Sequence, residues 1–394
     1  MLKTRIALSA VVIVASLAPA VAAQQPQAAQ PSVTKAPVAT SQEALLLAQG
    51  WGYLSAGDIA HAAGVSAQAM TQFPLSEAAL ALGVETELVR TGWAGALDLY
   101  ERWLGARHVD EPYALRRIAR AVLREAVRNV ETRTGALEAL IADGDPDAFA
   151  QADAASKAGR FGETQALAAV GDERAIRSLI AQLDTYPDAR GPAIEALAGS
   201  RSKLAVPALV KLLDDPKEDT QARAANALGR IGDTSVVDKL RPLLEPSRAY
   251  PVRFMAAQAL GQLGDASGVA FLRSALDAAA NYPGASLVRV QTAEALATIG
   301  PDTGWVDTAR ALLNDPDPNV RAHAAKLIAP YDNALAKATL TSLATDANPA
   351  IRQEASQFLA DHVAGDFATL RVLLRSGDAG ARASAAARIL EISR

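Results

Sequence analysis

The chain has 394 residues, of which half are apolar and only 5% are aromatic, and its formal net charge is −4. That length suffices for several domains or one long repeat array, and an alanine-rich, aromatic-poor composition favours packed helices over sheets. The nearly balanced charge and the lack of a basic tract argue against a nucleic-acid partner. The sequence has no cysteine, which excludes disulfides, thiol catalysis and a lipid-modified N-terminal cysteine.

The N-terminal residues 1–22 have the pattern of a signal peptide. Lys3 and Arg5 precede the short apolar run "IALSAVVIVASLA", and "AVA" at 20–22 supplies the small residues of a cleavage site. We therefore expect an exported protein, periplasmic or extracellular, with no membrane span after cleavage; an uncleaved N-terminal anchor is the alternative. Residues 23–41, rich in Gln, Ala, Pro, Ser and Thr, are predicted to be a disordered linker.

Residues 42–108 are predicted to form two helix pairs. The stretch "GWGYLSAGDIAHAAGVSAQAMTQFP" resembles a tetratricopeptide repeat, with Gly50, Tyr53, Ala62 and Ala69 at that family's packing positions before the closing Pro74. A period of 34 residues relates Ala62 to Ala96 and Ala69 to Trp103. The second unit is degenerate, because Val84 and Glu87 occupy the places of the Gly and Tyr. The resemblance implies helix pairs that stack on one another.

From residue 109 to residue 394 one pattern recurs. Its reference residue recurs at spacings from 27 residues (Arg133 to Arg160) to 36 residues (Arg253 to Arg289). The nine reference residues are Arg133, Arg160, Arg190, Gln221, Arg253, Arg289, Arg321, Arg352 and Arg382. Apolar residues at positions −1, +3 or +4, +7 and +10 relative to each one define one face of a helix.

A glycine eleven residues after the reference residue ends many of these helices, as Gly232 and Gly264 do, and the following Asp233 and Asp265 can cap the next helix. Each unit is thus predicted to be two antiparallel helices, and an isolated pair cannot bury its apolar face. The predicted fold class is all-α: a right-handed α-solenoid of helix pairs, in which the recurring phrase is the inner helix rather than a phosphate-binding loop.

The stretch "AVPALVKLLDDPKEDTQARAANALGRIGD", residues 205–233, resembles the HEAT repeat in the short form also found in the bilin-lyase-like group. The resemblance implies a ladder of Asp and Arg between neighbouring units. An Asp lies six residues before the reference residue in four units; the pairs are Asp184/Arg190, Asp215/Gln221, Asp315/Arg321 and Asp346/Arg352. Gln221 departs from the ladder, and Ser247, Pro283 and Ser376 replace the Asp in other units.

No catalytic, cofactor-binding or metal-binding residues are predicted. The four histidines are not spaced as metal ligands, and "SRSK" at 200–203 matches a serine-hydrolase S-x-x-K without its companion motifs. We therefore expect no cofactor and no enzymatic activity. The bilin-lyase-like resemblance leaves a tetrapyrrole lyase or isomerase as an alternative, and a structural spacer is another.

The remaining candidate is a protein-binding surface on the concave side of the solenoid, formed by polar positions of the inner helices. With Arg, aromatic and Met residues as anchors, the contact is predicted to centre on units four to six. The predicted partner-binding residues are Arg223, Asn226, Arg230, Phe254, Met255, Gln258, Gln262, Gln291 and Glu294. The function predicted from the sequence is an exported scaffold or adaptor for an unidentified protein partner; a merely solvated face is the alternative.

Overall fold

The computed structural model describes residues 41–107, 109–186, 190–280, 285–300, 304–362 and 367–394. The predicted signal peptide and all of the predicted linker except Ser41 lie outside these ranges. The described residues form helices and no strands. The α-helices are α1 Ser41–Ser55, α2 Ile59–Gln72, α3 Glu77–Arg90, α4 Trp93–Arg107, α5 Pro112–Ala126, α6 Arg133–Ala142, α7 Pro146–Lys157, α8 Phe161–Ala169, α9 Glu173–Thr185, α10 Arg190–Ser200, α11 Val206–Lys211, α12 Glu218–Ile231, α13 Val237–Leu240, α14 Tyr250–Gln262, α15 Val269–Ala280, α16 Ser286–Ala297, α17 Trp305–Leu312, α18 Pro318–Ile328, α19 Asn333–Leu343, α20 Pro349–His362, α21 Phe367–Leu374 and α22 Ala379–Ile392.

Helices α1 to α4 pack one against the next in chain order. The alanines related by the 34-residue period, Ala62 and Ala96, are fully buried, and so is Ala69. Trp103, the counterpart of Ala69, is 4% exposed. The residues related by the predicted 34-residue period are therefore those buried between the helices of this segment. The segment also packs on the repeat array, because α3 and α4 contact α5.

The array contains nine inner helices, α6, α8, α10, α12, α14, α16, α18, α20 and α22, each packed against the next one in this series. Eight of the nine reference residues lie inside these helices, and Arg160 is the residue just before α8. The all-α solenoid predicted from the sequence is confirmed.

The predicted caps join the two helices of successive units. Gly232 ends α12 with φ of 81°, in the left-handed region where a residue without Cβ is unstrained. The carboxylate of Asp233 then accepts a hydrogen bond from the backbone N–H of Ser235 and starts the next turn. Gly264, with φ of 79°, and Asp265 repeat this arrangement one unit later.

The reference arginines bind backbone carbonyls rather than the Asp carboxylates of their own units. Arg321 donates to the carbonyl of Asp315 at 2.7 Å and Arg352 to that of Asp346 at 2.7 Å. Arg382 donates in the same way to Ser376, also at 2.7 Å, so the side chain six residues earlier need not be acidic. A reference arginine also makes a bridge between units: Arg190 pairs with Asp215 of the following unit. The predicted ladder is thus mainly a C-terminal cap for each outer helix.

Two outer helices differ from the continuous helices that the sequence predicts. The stretch 203–214 consists of α11 with a 3-10 turn on each side. In the next unit α13 is only four residues long and passes into the 3-10 segment Arg241–Leu244, which contains Pro242. Proline has no N–H to donate and its ring disfavours the preceding α-turn, so the chain tightens there.

The last helix of the array returns to its first. α22 packs against α5 and α6, and one core cluster contains Leu115 of α5, Leu137 of α6 and Leu390 of α22. Polar contacts cross this seam: Arg116 donates to the carbonyl of Leu390 at 3.2 Å, and Arg375 pairs with Glu101 at 2.6 Å. Arg371 pairs with Asp110 across the same boundary. The nine helix pairs therefore form a closed ring, a closure that the sequence pattern did not predict.

Among the described residues, no helix combines the length and the apolar character needed to cross a bilayer.

Candidate partner-binding site inside the ring

The inner helices carry a row of side chains that stay accessible on the inside of the ring. These residues, five positions after each reference residue, are Glu138, Gln165, Glu195, Asn226, Gln258, Glu294, Lys326, Gln357 and Ala387, and we call them the inner-face row. None of the nine is buried, whereas both neighbours of Asn226 in the chain, Ala225 and Ala227, are buried in the core. A continuous wall, mostly polar, therefore lines the ring.

Three of the predicted site residues are already engaged within this wall. Arg230 pairs with Glu195 of the preceding unit at 2.9 Å, and Arg223 lies 3.9 Å from the same carboxylate. Arg223 also pairs with Asp219 in its own helix at 2.7 Å. Asn226 donates its amide to Gln258 at 3.3 Å. These links run from one inner helix to the next and hold the side chains of α10, α12 and α14 in place.

Phe254 is not part of this wall, contrary to the prediction. It is 8% exposed and packs in a core cluster with Leu296 and Trp305, with its ring stacked on that of Tyr250. The reason is its position on the helix. Phe254 directly follows the reference residue Arg253, and at that position the side chain points between neighbouring helices instead of into the ring. Met255 is half-buried and packs against the same core, so only part of it is available to a partner.

The other predicted site residues lie on the wall. Gln291 is exposed on α16, and Gln262 is half-buried at the end of α14. The side-chain oxygen of Gln262 is buried and accepts no hydrogen bond. The oxygen is packed beside Gly229, where an added Cβ would meet it.

A charged cluster joins three consecutive inner helices, α16, α18 and α20, in another part of the wall. The two ring nitrogens of His323 lie 3.0 Å from Glu294 and 3.1 Å from Glu354. The hydrogen bond to Glu294, together with that to Glu354, raises the pKa of His323 to about 9, so the imidazolium form persists at neutral pH. Lys326 lies 3.9 Å from Glu294 and 4.9 Å above the ring of Phe358.

Replacing His323 by glutamine is expected to destabilise the fold in a pH-dependent way. A pKa raised from 6.5 to about 9 contributes stability that is complete below about pH 6.5 and is lost as the pH rises through 9. The contribution is at most about 3 kcal/mol. Urea denaturation of the wild type and His323→Gln should show the largest difference near pH 6 and almost none above pH 9.5. A difference that is constant with pH would show that the bridge to the two carboxylates is not responsible.

Two cavities open on the inside of the ring. The first, about 630 Å³, lies between α6, α20 and α22. The second, about 770 Å³, is bounded by α6, α8, α10, α12 and α14 and includes the predicted residues Arg230 and Gln262. Glu138 lines both cavities and so stands between them. The inside of the ring therefore offers open depressions as well as a polar wall.

The serine-hydrolase-like stretch has no catalytic geometry. The hydroxyl of Ser200 donates to the carbonyl of Leu197 at 2.7 Å, and Lys203 lies 3.8 Å from Asp233. A nucleophile needs a base within hydrogen-bond reach, and here the lysine faces a different unit's cap. Within the described part of the chain, no group of three or more potential metal ligands is close enough to hold an ion.

Sequence reasoning missed the first cavity altogether. The predicted contact is centred on units four to six and does not include Ala387 and Glu391 of the last unit. In the closed ring this unit lies beside the first one, and both residues line the first cavity with Glu138. The signal that was available is the run of small residues at inner positions of these two units.

A family model described as HEAT repeats matches residues 176–251, 206–285, 284–360 and 306–391, which together cover 176–391. No curated protein shows significant similarity to the sequence.

Three solved structures are similar in part. The complex of CpcE and CpcF of phycocyanin lyase from Nostoc sp. PCC7120 has 20% identity and a TM-score of 0.39, covering 52% of this chain and 82% of its own. An engineered protein has 27% identity and a TM-score of 0.28, with coverages of 48% and 96%. Human deoxyhypusine hydroxylase in complex with glycerol has 18% identity and a TM-score of 0.29, with coverages of 73% and 99%. At these TM-scores the likenesses carry no argument about function.

Proposed function

Because this chain belongs to the HEAT-repeat family, as the match over residues 176–391 shows, we propose that it is a scaffold that binds a segment of a partner protein inside its ring. HEAT repeats fit a protein-binding role, and solenoids of this kind present extended surfaces to their partners. The observation that carries the proposal is the accessible, mostly polar wall on nine successive inner helices. The proposal includes export, for which residues 1–22 are the support, and a binding rather than an enzymatic role.

The chemistry of the wall suits an extended polypeptide. Amide side chains such as Gln165, Gln258 and Gln357 both donate and accept hydrogen bonds, as a peptide backbone does. In the second cavity Arg230 and Glu195 hold each other at 2.9 Å, so these two charged groups are fixed before a partner arrives. Preorganised polar groups lower the entropic cost of binding.

We expect a double change on the wall, Gln258→Glu with Gln291→Glu, to weaken capture of the partner at least tenfold. It adds two negative charges to the side of the ring that already carries Glu294, while Asn226 keeps an acceptor at position 258. The measurement is crosslinking of the periplasmic fraction of a secreting bacterium that expresses the chain with its own N-terminus, followed by affinity for the captured protein.

A matched control is Gln68→Glu with Gln151→Glu, which makes the same chemical change at exposed positions of α2 and α7 outside the wall. This control should bind within twofold of the wild type. If both double variants bind alike, the partner does not contact the wall and the proposal is wrong.

A further inference from the structure

Small residues stand in the lining of the first cavity at positions where unit four has long side chains. Gly135 and Ala142 on α6 stand where unit four has Arg223 and Arg230. On α22, Ala387 takes the place of Asn226. The space left, about 630 Å³, is a depression in the wall where the two ends of the array meet.

Among the described residues, two carboxylates that line the cavity, those of Glu131 and Glu138, have no cation placed against them. Glu131 is exposed in the loop before α6, whereas Glu138 lies on α6 itself. Arg388 is engaged by Glu391 at 2.6 Å, and Arg394 is turned toward Asp143, 3.9 Å away. No described side chain places a cation against Glu138, and burial alone raises the pKa of its carboxyl. Glu138 is exposed and faces this open depression, where a cation can reach its carboxylate.

We propose that the first cavity receives a lysine or arginine side chain of the bound partner segment, with Glu138 as its counter-ion. This inference rests on the proposed function and specifies the partner's chemistry at one point of the ring. A cation here gains charge-assisted hydrogen bonds and Coulomb attraction from a carboxylate that no described cation already neutralises. The small residues on both sides leave room for the aliphatic part of the side chain, whose methylene groups pack on alanine surfaces.

Hydrogen-bonding groups surround the same opening. Gln353 and Gln357 on α20 line the cavity, and Ser384 on α22 adds a hydroxyl. These groups can bind the main chain on either side of the inserted residue. The partner is therefore an extended segment with a basic residue, held by its backbone along the wall and by its charge in the cavity.

The test is selection of random peptides displayed on phage against the wild-type ring, followed by affinity measurements on the selected peptides. Selected sequences should share a lysine or arginine. Acetylating that lysine, or replacing the arginine by citrulline, should weaken binding about tenfold or more, because each removes the charge while keeping most of the side chain's length.

Two variants of the ring locate the site. Glu138→Gln keeps the shape and removes the charge, and Gly135→Leu fills the cavity, since a Cβ at Gly135 meets no atom within 4 Å. Both should weaken the selected peptides at least tenfold. The matched controls are Glu173→Gln on the exposed side of α9 and Gly64→Leu on α2, where a Cβ likewise meets nothing. Both controls should bind within twofold, and melting curves check that all four variants are folded.

The outcomes separate this inference from the proposed function. Peptides that bind the wild type equally well after Glu138→Gln and Gly135→Leu would overturn the cavity assignment and leave a binding role for the rest of the wall. Selected peptides without a basic residue, or no enrichment at all, would also overturn it. The role of the wall itself is tested separately, by the affinity of the captured full-length partner for the Gln258→Glu, Gln291→Glu variant.

Discussion

Deleting α22, Ala379–Ile392, is expected to destabilise both ends of the array at once. In the closed ring this helix covers α20 and α21 on one side and α5 and α6 on the other. Its loss would remove the buried side chains of Ala385, Ile389 and Leu390 from the main core, which also includes Leu115 and Ile118 of α5. Several buried side chains at about 1.5–3 kcal/mol each make this the largest effect that we predict.

Hydrogen exchange followed by mass spectrometry distinguishes the ring from an open solenoid. In an open solenoid contacts are between nearest neighbours, and removal of the last helix would deprotect only α19 to α21. In the ring, α5 and α6, more than 200 residues earlier in the chain, should lose protection as well. The control is deletion of α1, Ser41–Ser55, which packs on α2 and α3 outside the ring. That deletion should leave the protection of α20 to α22 unchanged.

The sequence predicts those parts of the fold that each unit determines for itself. The nine reference residues, the glycine that ends α12 and the aspartate that follows it are all local signals, repeated with the period of the fold. The burial of Ala62 and Ala96 follows from the same logic with a period of 34 residues. Periodicity and capping depend on a few residues, and those residues are visible in one dimension.

Closure of the ring depends on small rotations that add up from one unit to the next, and no single residue encodes them. Gly229 shows how one residue contributes to the packing between two units without revealing it in the sequence. A Cβ at this position would lie 2.6 Å from the Cα of Ala259, so the missing side chain is what lets α12 approach α14 this closely. In the sequence Gly229 is only one letter in a recurring phrase. Its effect on the angle between two helices appears only when both are packed together.

The candidate site was predicted in part for the same reason. The polar inner-face row follows from helical phase, and its accessibility agrees with that phase at Asn226 and Gln258. Phe254 was misplaced because an aromatic residue next to the reference position turns into the neighbouring core. The first cavity was not predicted because it combines residues from the first and last units, which are distant in sequence and adjacent only in the closed ring.

Asp143 is the polar centre of the seam, although nothing in the sequence distinguishes it from the capping aspartates. Its carboxylate is fully buried and is bonded to both Arg116 and Arg120, with Arg394 lying 3.9 Å away. It also follows α6, where the helix dipole disfavours a negative charge, so the arginines are needed to hold it there. Because Arg116 also donates to the carbonyl of Leu390, Asp143 positions the side chain that joins α5 to α22.

Replacing Asp143 by alanine should therefore cost about 3 kcal/mol, the lower end of the range for breaking a buried ion pair, because its arginines are 20% and 25% exposed. Asp153→Ala is the matched control: that aspartate also pairs with two cations, Lys157 and Arg174, but both are well exposed, so the cost should stay below about 1 kcal/mol. Urea denaturation gives both values. Adding Arg116→Met to Asp143→Ala should recover part of the loss, since one unpaired charge is removed with it. Equal, small costs for the two aspartates would mean that Asp143 does not hold the seam, and that the apolar contacts between α5 and α22 suffice to close the ring.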